Sequence, residues 1–300
     1  MNDVDLAAAE AFLTTHGRQL DRLRLQLQLG AVDAPQVLSA LDGYQNPDGS
    51  YGWGLEPDLR DRAGQPGAAL HAFEVFDEVA ALTGIRTPSA VKLCDWLGGV
   101  ALADGGLPFA LPVVRPDGCA PFWRDADPTV SSLHITAAVT APALRLARHD
   151  EVVAAHPWLV RSTRYCLDQI AARQRSSSTL ELTYSLAFLD ALAATDETTG
   201  HARRLGAVIP ADGMMHVEGG RDDEFLRPLN FSPFPGGPSR SLFDPAIIGA
   251  ELDRLASRQL DDGGWPPEFD SYSPAAELEW RGYLTVAAVI TLRANAAPTP

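Results

Sequence analysis

The sequence predicts an all-α protein with two kinds of helix, and three observations support this. Apolar residues recur at steps of three and four, beginning with one N-terminal helix predicted over residues 5–29. Sustained alternation with a period of two is absent, so few strands are expected. Other segments are apolar on nearly every side, which is typical of fully buried helices: 67–83, 130–147 and 280–294.

An internal repeat follows the helices that carry a single apolar stripe. It reads Leu255-x3-Gln259-x3-Gly263-x-Trp265, and Leu41, Gln45, Gly49 and Tyr51 repeat the spacing. Weaker copies end at Gly105 and Gly213, and Ile170-x3-Gln174 fits a fifth copy without its glycine. We expect the leucine to anchor the last turn and the glycine to stop the helix with positive φ. The aromatic residue should then pack back onto the helix.

This repeat resembles the one found in squalene and hopene cyclases and in the β-subunits of protein prenyltransferases. The resemblance covers about residues 35–295 and implies one α/α-toroid domain, with five or six helical hairpins, over residues 1–300. Residues 216–243 show no clear inner helix, so the toroid could be incomplete there. The expected outer helices are 35–45, 88–101, 199–209 and 246–259, and the expected inner helices are 67–83, 130–147, 179–194 and 280–294.

One acidic segment resembles the DxDDTA motif of protonation-initiated (class II) terpene cyclases. Its residues run Asp125-Ala126-Asp127-Pro128-Thr129-Val130. The resemblance implies that Asp127 is the general acid and Asp125 its neighbour, although Pro128 replaces the fourth acidic residue. The alternative is structural, with Asp127 as the N-cap of a helix that starts at Pro128.

Further candidate ligand residues lie in the loops that follow the outer helices, at one end of the predicted toroid. Aromatic residues beside acids suit a carbocation, a cationic ligand or a sugar. Exposed acids are also common on an acidic chain without any such role. The candidates are Trp53, Glu56, Phe122, Trp123, Trp265, Glu268 and Asp270.

Composition excludes several classes of partner. A net charge of −15 argues against binding to nucleic acid, and the chain lacks the apolar run of about 18 residues that a membrane span needs. Three well-separated cysteines and an acidic N-terminal segment lead us to expect a cytoplasmic protein. Asp117, Cys119 and a histidine (134, 201 or 216) faintly resemble a zinc site, but no spacing selects one, so neither metal nor cofactor is expected.

Three functions therefore remain open from the sequence. The first is a terpene-cyclase-like protein that binds an isoprenoid in a central cavity, with class II cyclisation as an isomerase or lyase reaction. The second is a non-catalytic toroid that binds a small ligand or a protein partner. The third is a polysaccharide-active, lyase-like enzyme, because similar repeats occur in helical toroids of that class.

Overall fold

The structure is a computed structural model that describes residues 4–296. Over this range the fold is all-helical apart from one short hairpin, β1 (Met215–His216) paired antiparallel with β2 (Phe225–Leu226). The helices are α1 Leu6–Thr15, α2 Gln19–Gln28, α3 Ala34–Asp42, α4 Pro66–Thr83, α5 Pro88–Val100, α6 Pro121–Arg124, α7 Leu133–Ala147, α8 Glu151–Ala154, α9 Pro157–Ala172, α10 Thr179–Ala191, α11 Asp196–Gly206, α12 Pro228–Phe231, α13 Pro245–Ser257 and α14 Pro274–Ala296.

The eight helices predicted after the N-terminal segment are all present, within a few residues at most ends. The predicted helix over residues 5–29 is instead two helices, α1 and α2. Arg18 between them is extended, with ψ of 148°, and its guanidinium reaches forward to the Asp21 carboxylate at 2.7 Å. The Leu13 side chain lies over Gly17, where a Cβ would come within 2.8 Å of it. Apolar spacing alone does not reveal this break, because the stripe continues across it.

The four repeat glycines all have positive φ, as the sequence predicts. Their φ values are 89° at Gly49, 92° at Gly105, 75° at Gly213 and 93° at Gly263. Each follows an aspartate whose carboxylate accepts a hydrogen bond from the amide two residues later, at 3.0 to 3.1 Å. The Asp-Gly pair therefore builds the same tight turn four times.

Three of these turns pack directly against the backbone of another helix. A Cβ on Gly49 would lie 2.9 Å from the carbonyl oxygen of Lys92 in α5, and one on Gly105 would lie 3.0 Å from that of Arg161 in α9. Gly263 approaches the carbonyl group of Ala8 in α1 in the same way. The repeat glycine thus serves both the turn and the stacking of one helix on the next.

The chain divides into two compact units, each with its own core. Unit 2, residues 33–174, is centred on α4 and α7, and Phe73 of α4 stacks on Trp158 of α9 with ring centroids 5.7 Å apart. Unit 1 comprises residues 4–32 and 175–296 of the described chain. Its core joins α1, α2 and α14 around Phe12, Leu25 and Val286. No helix within residues 4–296 is long and apolar enough to cross a membrane.

Candidate functional site

A cavity of about 190 Å³ in unit 1 is a candidate ligand site. Most of its wall is apolar and only half-buried, so a ligand would cover side chains that now face the cavity. The lining residues are Glu224, Phe225, Leu226, Leu229, Asn230, Arg254, Leu255, Arg258, Trp265, Pro266, Glu268, Phe269, Leu284, Ala287, Ala288 and Thr291.

Trp265, a sequence-predicted site residue, forms a fixed wall of this pocket. It is 2% exposed, and its indole Nε1 donates to the carbonyl oxygen of Leu255 at 2.8 Å. Its amide donates to Thr285 Oγ1 of α14 at 3.1 Å. The repeat explains this geometry: the turn at Gly263 returns the chain to α13, and the ring packs on the leucine that starts the motif.

Glu268, also predicted, lies at the pocket among arginines. Its Oε1 is 2.9 Å from Arg254 Nη1, 3.6 Å from Arg258 Nη1 and 3.9 Å from Arg227 Nε. Glu251, which is 9% exposed, pairs with two of the same arginines. Its Oε2 lies 2.9 Å from Arg254 Nε, and its Oε1 lies 3.3 Å from Arg227 Nη1. Burial opposes the charge of Arg254, but these carboxylates raise its pKa above the usual value, so the cation is fixed.

Glu56 belongs to a buried ionic cluster in unit 2. Glu56 Oε2 lies 2.9 Å from His71 Nε2, and Glu74 Oε2 lies 3.0 Å from His71 Nδ1. Burial alone would lower the pKa of His71, yet the two carboxylates outweigh it and raise that pKa to about 9. The group is therefore an imidazolium held between two carboxylates, formed by α4 and the loop before it.

Trp123 packs next to this cluster. A Cβ on Gly67 would be 3.1 Å from Trp123 Cη2 and 3.6 Å from Glu56 Cγ, so both side chains meet the start of α4. Trp123 stacks on Phe109 with centroids 4.5 Å apart, and Phe109 meets the edge of His134 at 5.2 Å. Burial lowers the pKa of His134 to about 4, so this second histidine is neutral at pH 7.

Asp125 and Asp127 do not have the geometry of buried acids. Asp127 is exposed, and its Oδ1 accepts from the amide and the hydroxyl of Thr129 at 2.8 and 2.6 Å. These bonds lower its pKa, whereas alkene protonation needs a strong acid that is held protonated in a dry pocket. Asp125 is exposed and bound to Arg124, which lowers its pKa as well.

The capping alternative for Asp127 also needs correction. The helix that follows, α7, begins at Leu133, and its N-cap is Ser132, whose Oγ accepts from the Ile135 amide. Asp127 instead closes a local turn over Pro128, because a short side chain can bond the amide two residues onward. Sequence spacing placed the helix start five residues too early.

The remaining candidates are surface side chains. Trp53 is 56% exposed, has φ of 57°, and donates from Nε1 to Asn46 Oδ1 at 2.9 Å. Phe122 is 59% exposed beside Trp123. Asp270 is exposed and pairs with Arg221 at 2.9 Å. Of the predicted set, the structure brings Trp265 and Glu268 together at the pocket, and Glu56 and Trp123 together around Gly67.

Sequence reasoning missed the groups that complete both sites. Arg254 lies in α13 and Arg258 is the C-cap of that helix one turn later, a spacing that places them on one face. His71 and Glu74 have the corresponding i, i+3 spacing in α4. That signal was available, but it does not show which loop carboxylate, Glu268 or Glu56, approaches each pair.

The faint zinc pattern finds no support in the side-chain geometry. Within residues 4–296, no three His, Cys, Asp or Glu side chains are grouped as metal ligands. Cys119 is buried, and burial followed by the nearby Asp61 raises the pKa of its thiol. A raised thiol pKa disfavours the thiolate that zinc would bind.

Comparison with known proteins supports the fold and is silent on activity. No family model matches this chain, and no curated protein matches it. Among the solved structures, 25 chains match, one of them a protein from Actinoplanes with a TM-score of 0.50 and 16% identity. That likeness covers 97% of this chain and 89% of the Actinoplanes chain, so it extends over nearly the whole helical fold.

Proposed function

We propose that this protein is an α/α toroid that binds a compact apolar ligand of isoprenoid type in the unit 1 pocket. One observation carries the binding proposal: a cavity of about 190 Å³ has mostly apolar walls with a few charged groups at one place. The toroid part is supported by the repeat, because three of its glycine turns pack on the backbone of another helix of the same unit.

The size of the cavity sets the size of the ligand. An apolar cavity of roughly 150 Å³ holds a benzene molecule, so this one suits a body of about six to ten carbon atoms. Phe225, Leu229, Phe269 and Leu284 offer it hydrocarbon and aromatic surface. Their chemistry fits a branched hydrocarbon better than a sugar, which would need many polar partners.

The proposed activity is binding, without protonation by Asp127. That carboxylate is exposed and has a lowered pKa. Two carboxylates do line the pocket, Glu224 and Glu268. Glu268 is already bound by Arg254 and Arg258, and its Oε1 lies 2.9 and 3.6 Å from their Nη1 atoms. The non-catalytic alternative therefore fits the geometry better than class II cyclisation.

The test is calorimetric titration with geraniol, a ten-carbon isoprenoid alcohol. Ala287 is half-buried on the pocket wall, so Ala287→Phe should fill the cavity and weaken binding at least about tenfold. Ala275→Phe is the matched control, because Ala275 is exposed on the same helix and does not line the pocket. Equal affinity for geraniol in both variants, or no binding to the wild-type chain of geraniol or of an acid with the same ten-carbon chain, would reject the proposal.

A further inference from the structure

We infer that the ligand of this pocket carries an acidic group, which Arg227, Arg254 and Arg258 bind at the position now held by the Glu268 carboxylate. The inference rests on the proposed function, since it describes one end of the ligand proposed there. It adds a chemical class, an apolar body with a carboxylate or phosphate, and assigns named residues to its recognition.

Three guanidinium groups approach one carboxylate, that of Glu268. Arg254 binds Glu268 with two nitrogens, Nη1 to Oε1 at 2.9 Å and Nη2 to Oε2 at 3.2 Å. Arg258 Nη1 and Arg227 Nε approach Oε1 at 3.6 and 3.9 Å. A planar guanidinium that makes two parallel bonds is the usual partner of carboxylate and phosphate groups.

The positive charges of the arginine cluster outnumber its carboxylates. The cluster contains three arginines and two carboxylates, Glu251 and Glu268, and Glu251 already bonds Arg254 and Arg227. Glu224 also lines the pocket, but its carboxylate accepts from the Arg221 amide at 3.4 Å and has no ion pair with these arginines in the described chain. The arginine cluster therefore keeps a positive charge with Glu268 in place, and a larger one without it.

The arginines of α13 are held in position by the helix backbone, whereas the Glu268 carboxylate is on a partly exposed side chain. Arg254 belongs to α13, and Arg258 follows as its C-cap one turn later, so the backbone fixes their common face. Glu268 lies on the segment between α13 and α14, and its side chain is 37% exposed. A rotamer change would carry its carboxylate into water. A ligand acid could then take over the same hydrogen bonds without leaving the arginines unpaired.

The apolar wall of the pocket lies beside the arginines. Arg254 and Arg258 line the same cavity as Leu255, Phe269 and Leu284. One molecule can therefore place its hydrocarbon on the wall and its acid on the guanidinium groups. A neutral alcohol with the same chain length would gain only the contacts with the apolar wall.

The experiment compares three probes with the same ten-carbon chain: geraniol, geranic acid and geranyl phosphate. We expect geranic acid, geranyl phosphate or both to bind the wild-type chain at least about tenfold more tightly than geraniol, with an advantage that falls as salt is raised. The two acids distinguish a carboxylate ligand from a phosphate ligand, because the better fit shows the larger advantage.

Two variants should change the ratio of acid to alcohol affinity in opposite directions. Glu268→Gln removes the competing carboxylate and should raise the ratio at least about threefold, whereas Arg258→Gln should lower it by a similar factor. Arg164→Gln is the control, because Arg164 is 82% exposed in unit 2 and should leave the ratio unchanged. Melting curves of each variant establish that it is folded.

The outcomes separate the two proposals. If geraniol binds but neither acid binds more tightly, the acidic-group inference is wrong and the pocket proposal stands. A fall in the ratio for folded Glu268→Gln also overturns the inference, because the carboxylate would then be part of the ligand site and not its occupant. If none of the three probes binds, both proposals fail together.

Discussion

Gly263 lies against the backbone of Ala8, so close that a Cβ at this position would overlap the Ala8 carbonyl group. The same glycine has φ of 93°, a conformation that residues with a side chain rarely adopt. Nearby, the side chain of Gln259 makes two hydrogen bonds with the backbone of Asp5. Its Nε2 donates to the Asp5 carbonyl oxygen at 2.7 Å, and its Oε1 accepts from the Asp5 backbone amide at 2.8 Å. The last repeat therefore binds the N-terminal start of α1.

We expect Gly263→Ala to destabilise the protein more than an ordinary left-handed glycine would. The matched control is Gly30→Ala, since Gly30 has φ of 72° in the same unit and no atoms near its missing Cβ. The control should lose about 1 kcal/mol of unfolding free energy, and Gly263→Ala about 1–3 kcal/mol more. Denaturant unfolding measures both, and equal losses would show that the contact with Ala8 is not tight.

The indole of Trp265 should stabilise the turn through its hydrogen bond as well as its bulk. Trp265→Phe keeps most of the packing but leaves the Leu255 carbonyl oxygen without the bond at 2.8 Å. We expect a loss of about 1 kcal/mol in unfolding free energy, against about 3–5 kcal/mol for Trp265→Ala. An unchanged stability in Trp265→Phe would mean that water replaces the indole nitrogen without cost.

The His71 cluster predicts a loss of stability at alkaline pH. The folded pKa of about 9 lies above the value of 6.5 for the free side chain, so the folded state holds a proton that the unfolded chain releases. This contribution, at most about 3 kcal/mol, is complete below pH 6.5 and is lost as the pH rises through 9. His71→Gln should flatten the dependence of unfolding free energy on pH between these values.

His134 provides a control with the opposite sign. Its folded pKa of about 4 is lowered by burial, so the unfolded chain takes up the proton first as the pH falls. Its variant His134→Gln should remove a loss of stability between pH 6.5 and 4 and leave the alkaline range unchanged. If both variants changed the unfolding free energy at alkaline pH equally, the ion pairs of His71 with Glu56 and Glu74 would not be the cause of the alkaline loss of stability.

The repeat made much of the fold predictable because its chemistry is local. An aspartate and a glycine after a helix determine a turn from neighbouring atoms alone, and all four predicted turns are present. The break between α1 and α2 was missed because the apolar stripe continues across the extended Arg18. Apolar periodicity does not carry that information.

The candidate sites were predictable only in part. Trp265 followed from the repeat, which returns its indole to Leu255 of α13 and thus to the pocket wall. The arginines that meet Glu268 come from α13 and from the chain just before α12, and no local spacing links them. A motif match led instead to Asp127, where a short turn satisfies the carboxylate in water.

The last prediction concerns Asp127, which we expect to act on the 127–129 turn and not on a ligand. Asp127→Asn keeps an oxygen acceptor for the Thr129 amide and should leave the melting temperature and the affinity for geraniol unchanged. Asp127→Ala removes the acceptor and should lower the melting temperature slightly, again with unchanged affinity. The decisive assay is conversion of polyprenyl substrates by wild type and by Asp127→Asn. An amide cannot protonate an alkene, so turnover by the wild type that disappears in this folded variant would establish Asp127 as a general acid and contradict the turn assignment.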